Sequence, residues 1–250
     1  MKIIANEKIK IRFYLSLCLF FILSVLIFGA NYVIKKSAVN VAASSNTFKT
    51  VIIDAGHGGP DGGTSSDDGT LEKDLNLQIA HKLNAVLQSM GIETVMTRTE
   101  DVSIHDDDAE TIRQKKVSDL KNRLSIINNT DDAVFVSIHQ NHYSSSKFSG
   151  AQIFYSKNNP LSQKLADSVR LSIVSYLQNS NTREIKKSGS EIYLLNNAQP
   201  PAIMVECGFM SNYAETQNLK NEAYQQKLAF TIAIGITDYF SNTEDIQNGT

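Results

Sequence analysis

From Lys49 onward the apolar residues follow two rhythms. Short unbroken runs at 50–54, 93–97, 133–138, 151–155 and 201–205 are bounded by glycine or polar residues and read as buried strands. Between them, 73–90 carries Leu75, Ile79, Leu83, Val86 and Leu87 at helical spacing, with Gly91 placed to cap the C-terminus. The spacing predicts further helices over 117–128, 160–177 and 222–240. Asn212 with Glu215 three residues on is a capping-box pattern that starts another. Strands alternating with helices imply an α/β fold: three layers, α/β/α, around a mostly parallel twisted central sheet of about six strands. No internal repeat and no second domain interrupt the pattern.

The N-terminus is different. Phe13 to Gly29 contains no charged residue, and continuing to Ile34 makes the stretch long enough to cross a bilayer, which takes roughly 20 apolar residues. Lys2, Lys8, Lys10 and Arg12 precede it, against Lys35 and Lys36 after it, which favours a cytoplasmic N-terminus and an exported remainder. A cleaved signal peptide usually has a shorter apolar core, about 7–15 residues. The expectation is therefore a signal anchor over residues 1–36, although Val41-Ala42-Ala43 offers a cleavage site. Residues 37–48 read as a linker, 49–241 as one catalytic-sized domain at the extracytoplasmic face of the membrane, and 242–250 as a flexible tail.

Charge narrows the partners. The chain holds 24 basic and 26 acidic residues. Without residues 1–36, which hold six and one, the remainder has 18 and 25, a net charge of −7. An acidic domain without a basic stripe argues against nucleic acid, and any anionic polymer must be held by local contacts. Cys18 and Cys207 are too far apart in character to pair, so an exported domain here relies on its core rather than on a disulfide.

The chemistry gathers where strands end, the usual place for ligands in open α/β sheets. His57 follows the first strand by three residues within a glycine-rich phrase, His139 continues the strand that ends at Ile138, and Glu206 follows the strand that ends at Val205. Glu72 opens the first long helix, and the glycine-rich loop before it can fold it back over His57. Two histidines and a glutamate with a fourth position open make a catalytic rather than a structural zinc site, and Glu206 adds a carboxylate for proton transfer. His142, three residues after His139, is the competing ligand. Asp54 reads as a residue that orients His57 or its loop, Cys207 as packing, and His81, His105 and the Asp106-Asp107-Asp108 run as structural or solvated. The loop matches neither the dinucleotide fingerprint nor the lysine-bearing phosphate loop.

Four phrases carry a resemblance: Asp54-Ala-Gly-His57-Gly-Gly-Pro-Asp-Gly-Gly63, Leu71-Glu72-Lys-Asp74, Ser137-Ile-His139-Gln-Asn141 and Val205-Glu206-Cys-Gly-Phe-Met-Ser-Asn212. Their order and spacing resemble the zinc-dependent N-acetylmuramoyl-L-alanine amidases of the type-3 domain, across residues 49–240. Ala55 stands where proline is common, and Cys207 where valine is common. Asn181-Thr-Arg183-Glu-Ile-Lys186 and Glu191-Ile-Tyr193-Leu-Leu are similar to the members that act on bacterial spore cortex. The resemblance implies Zn2+ bound by His57, Glu72 and His139, Glu206 as the catalytic carboxylate, and Asn141 lining the substrate groove. It implies hydrolysis of the amide between the lactyl group of N-acetylmuramic acid and L-alanine in peptidoglycan, serving cortex maturation through muramic-lactam formation and so germination, at the membrane or in the forespore intermembrane space. Whether an activating protein partner is needed is left open. Two rivals stand beside this reading. A zinc peptidase cutting the stem peptide of the carboxypeptidase type needs His-x-x-Glu, but Pro60 stands three after His57. An inactive wall-binding scaffold would be expected to have lost a ligand or Glu206.

Overall fold

The computed structural model describes residues 50–247, with side chains to residue 243. The expected anchor and linker lie outside these residues. Among the described residues no helix is long and apolar enough to cross a membrane.

Six strands form one sheet: β1 (Thr50–Ala55), β2 (Glu93–Met96), β3 (Ala133–Asn141), β4 (Gln152–Tyr155), β5 (Lys186–Lys187) and β6 (Ala202–Phe209), in the order β2-β1-β3-β6-β4-β5. All neighbours are parallel except β4 and β6, which run antiparallel. The helices are α1 (Glu72–Ser89), α2 (Ile112–Asn128), α3 (Leu161–Tyr176), α4 (Tyr193–Asn197), α5 (Tyr213–Lys220) and α6 (Glu222–Gln247). Side chains alternate across β1. Val51, Ile53 and Ala55 enter a core shared with α1, α3 and α6, while Ile52 enters a smaller one with Ile127 of α2 and Leu194 and Leu195 of α4. A strand covered on both faces is apolar throughout, which is why these runs do not alternate in sequence.

Gly91 caps α1 as expected. It sits at φ 78°, its amide and that of Ile92 bonding back to the Gln88 and Leu87 carbonyls. Asn212 accepts the Glu215 amide and starts α5. Helix α2 begins earlier than the apolar spacing predicts. Its first turn is polar, and the start is set by a capping box: Thr111 accepts the Gln114 amide while the Gln114 side chain accepts from the Thr111 amide. Helix α6 runs to Gln247, past the end that the apolar spacing predicts at 240; on its last described turn Thr243 is buried and donates its hydroxyl to the Tyr239 carbonyl.

Strands β3 and β6 reach further than their apolar runs, so His139 and Glu206 lie within strands rather than after them. The two residues are direct register partners. Just beyond, three steps along β6 match two along β3, bringing Phe209 level with Asn141. An extra residue of this kind bends a strand where pairing ends.

Candidate metal centre

The loop after β1 and the start of α1 are built around each other. The first amides of α1 find no side-chain cap. Instead Glu72 N donates to Thr64 O at 2.9 Å and Lys73 N to Gly62 O at 3.2 Å, so the loop satisfies the helix end. This folds Glu72 over His57. Gly63, at φ 68°, passes so close that a Cβ there would meet Glu72 Oε2 at 2.5 Å and His57 Cδ2 at 2.8 Å. His57 itself holds the left-handed conformation, φ 64°, which costs a non-glycine residue of order 1 kcal/mol and persists only when its surroundings impose it.

Two buried arginines impose it. Arg123 donates to Ala55 O (2.9 Å) and His57 O (2.7 Å), and Arg98 to Ala55 O (2.8 Å) and Gly56 O (3.1 Å). Lys73 adds a bond to Gly59 O at 2.8 Å. Asp54, 1 % exposed, anchors the array, accepting from Arg123 (2.6 Å), Thr97 (2.7 Å) and Ser137 (2.6 Å). Burial would raise its carboxyl, but Arg123 and these hydroxyls hold it down at about 2. Of the two tasks the sequence left to Asp54, it performs the second: it steadies the loop, through Arg123.

The carboxylate on the Nδ1 side of His57 is Asp61, 3.0 Å away and itself 3.1 Å from Lys116 Nζ. His57 Nε2 lies 3.3 Å from Glu72 Oε2, and His139 Nδ1 lies 3.0 Å from Glu72 Oε1. Glu72 is further fixed by the amides of Thr64 (2.9 Å) and Gln140 (3.1 Å) and by the Asn76 side chain (3.3 Å). One ligand atom from each of His57, Glu72 and His139 lies within 4.8 Å of the others. Burial disfavours a charged His57, yet its bonds to Asp61 and Glu72 outweigh that and hold its pKa near 9. Burial likewise opposes an ionised Glu72, but the two histidines keep its carboxyl well below the usual range. The same carboxylates attract a cation.

The residues present fit such an ion. Two imidazole nitrogens and a carboxylate converge as a three-ligand set suited to zinc. Asp61 orients one imidazole from behind, and Gly56 leaves the room a Cβ would take from the His139 ring. Beside them Glu206 Oε2 is buried without a hydrogen-bond partner among the described residues. Burial pushes its carboxyl up to about 7, opposed by His139 and His57 and assisted by Glu72. A carboxyl poised there takes and returns protons near neutrality.

The remaining candidates separate cleanly. His142 is exposed and stands outside the cluster. Asn141 is half-buried at the end of β3, its carbonyl accepting from Met210 N at 2.7 Å. Cys207 is fully buried in the larger core, and burial pushes its thiol far above the range of a nucleophile. His81 bonds the Thr99 carbonyl and His105 the Ser103 hydroxyl. Asp106 ties to Ser118 and Asn122 of α2. Sequence reasoning missed Asp61, Arg98 and Arg123. Asp61 had a signal, since i and i+4 across a glycine turn can meet.

A family model described as N-acetylmuramoyl-L-alanine amidase matches residues 51–238. The germination-specific N-acetylmuramoyl-L-alanine amidase of Bacillus subtilis is 36 % identical over 197 residues, covering 79 % of this chain and 82 % of that protein. The solved CwlD amidase from Clostridioides difficile, in complex with the GerS lipoprotein, is 42 % identical with a TM-score of 0.75, covering 78 % of this chain and 99 % of that one. An N-acetylmuramoyl-L-alanine amidase from Clostridium difficile 630 is 37 % identical with a TM-score of 0.68, covering 79 % and 98 %.

Proposed function

The chain belongs to the N-acetylmuramoyl-L-alanine amidase family, and from that premise we propose that it opens the lactyl–L-alanine amide of peptidoglycan with zinc held by His57, Glu72 and His139. Bound zinc would supply Lewis acidity, polarising the carbonyl and acidifying the attacking water. Glu206 takes the proton from that water and delivers it to the leaving L-alanine nitrogen, so the bond breaks to a lactyl carboxylate and a free amine. Asp61 holds the His57 ring so that Nε2 faces Glu72, and Arg98 and Arg123 hold the backbone that carries it. Asn141 serves as a polar wall for the substrate at the end of β3.

The observation that carries this reading is the placement of Glu206 Oε2. It is buried and unpaired, on a residue that is the register partner of His139 in the three-ligand cluster. A purely structural acid there would have a partner.

The biological setting is proposed on likeness. The germination-specific name of the Bacillus subtilis relative supports a role in germination, and the sequence resemblance supports cortex maturation through muramic-lactam formation as its route. The apolar run 13–34 supports display at the extracytoplasmic face of a membrane. The lipoprotein bound to the Clostridioides difficile relative supports an accessory protein partner.

Mass spectrometry of peptidoglycan digested by the full chain, with and without zinc, tests the reaction. Intact stem peptides with free N-terminal L-alanine are expected only in the zinc-loaded parent. A cut inside the stem would replace the amidase by a peptidase.

A further inference from the structure

The domain that must handle an anionic polymer is itself acidic, so cations left without an acid partner stand out. Among the described residues, Lys73, Lys82, Lys116, Arg123, Arg170 and Lys220 each have a carboxylate within ion-pair distance. Eleven others do not, and two of these, Arg183 and Lys147, line one cleft of about 520 Å3 near the carboxyl end of β6. The acid in that cleft, Glu215, is directed at backbone. Its Oε1 accepts from Gly150 N at 2.9 Å and its Oε2 from Phe209 N at 2.8 Å.

Arg183 is held as a fixed fork. Its Nε donates to Ser149 O at 2.8 Å, and its own amide donates to Asn181 Oδ1 at 3.0 Å. The guanidinium carbon lies 4.6 Å from the Phe209 ring centre and 5.6 Å from that of Phe148. Stacking and the Nε bond fix the plane and leave both Nη groups without a protein partner among the described residues. Such a fork suits a carboxylate, which it meets through two parallel bonds. Phe209, on which the guanidinium stacks, is three residues beyond Glu206 on one bulged strand, so their backbones stand roughly 7–10 Å apart. That is the reach of two to three extended peptide residues.

We propose that Arg183, assisted by Lys147, binds a carboxylate on the peptide stem two or three residues beyond the scissile amide, so that the enzyme discriminates acidic stems from amidated ones. This rests on the amidase reading and adds its specificity determinant.

The test uses the zinc-loaded full chain and two muramoyl peptides identical but for one stem carboxylate, free in one and a primary amide in the other. kcat/KM is read from release of the intact stem peptide bearing a free N-terminal L-alanine, and binding of the two free stem peptides is read by calorimetry. The parent is expected to favour the acid by about tenfold or more, mainly through KM. Arg183→Gln should bring the ratio within about twofold of one. Arg183→Lys should restore part of it, since the charge returns without the fork. Zinc content and thermal midpoint, read on each variant, exclude misfolding as the cause. An equal preference in the parent, or a parental ratio in Arg183→Gln, overturns the proposal. Acid-selective binding without turnover of either substrate sinks the amidase reading and leaves this site standing.

Discussion

Arg123 joins Asp54 to His57. One Nη lies 2.6 Å from Asp54 Oδ1, and the other donates to the His57 carbonyl at 2.7 Å. A buried ion pair thus holds a candidate ligand by its backbone carbonyl.

Replacing Asp54 by Asn breaks that pair while Arg123 stays buried. Asp119 still holds Arg123 from the other side at 2.7 Å, so a loss of about 1.5–3 kcal/mol in urea unfolding is expected, the usual cost of one hydrogen bond to a charged group. The double replacement Asp54→Leu with Arg123→Met, made with Asp119→Asn so that no buried acid is stranded, should recover much of the stability but not zinc binding, because the His57 carbonyl loses its donor. Full zinc stoichiometry in that variant would refute the link from pair to loop.

Asp61→Asn tests the ring rather than the backbone. The amide can no longer accept the proton of His57 Nδ1 in the same charged bond. Zinc affinity should fall by about 10–100-fold with little change in fold. Competition against a fluorescent chelator reads this directly, and an unchanged dissociation constant would release Asp61 from the role.

Glu206→Gln should keep zinc and lose turnover by about 10²–10⁴-fold. The pH dependence has a fixed sign. Glu206 must be ionised to accept a proton, so activity rises with pH. In the zinc-free chain its carboxyl titrates at about 7. Bound zinc favours the anion, so the acidic limb of kcat/KM should fall between the ordinary glutamate range and that value. A raised folded pKa also means that the folded state holds its proton more tightly than the unfolded one. The zinc-free parent should therefore lose stability as pH rises from about 4.5 to about 7, by roughly 3 kcal/mol from this group. Glu206→Gln should remove that contribution, as unfolding curves at pH 5 and pH 8 would reveal.

Two glycines with positive φ separate strain from crowding. Gly69, at φ 82°, has nothing within 4 Å of a Cβ, whereas a Cβ on Gly63 would strike Glu72 and His57. Gly69→Ala should cost about 1 kcal/mol and retain zinc. Gly63→Ala should lose zinc as well, by metal analysis of the purified chains.

Much of this was legible in the order of residues. Apolar runs located the five longer strands, since a strand buried on both faces cannot hide its composition. His57, Glu72, His139 and Glu206 were legible because strand ends and a glycine loop constrain where they go. The two-residue β5 and five-residue α4 have no periodicity to read. Arg98 and Arg123 looked like ordinary helix and loop cations. The loop carbonyls they hold, those of Ala55, Gly56 and His57, are more than 40 positions away, and a carbonyl is the same at every residue. The antiparallel β4 was also invisible, because strand direction depends on where the chain returns.

The arginine grip on Ala55, Gly56 and His57 bears on how the protein lives with its metal supply. In a zinc finger the ion closes the fold, so scarcity of metal is scarcity of protein. Here the ligand-bearing loop is tied down by bonds internal to the chain. On the proposed zinc reading, a metal-starved molecule would keep this loop in place and regain competence when a single ion arrives. Loading then stabilises by mass action alone, growing with the logarithm of free zinc.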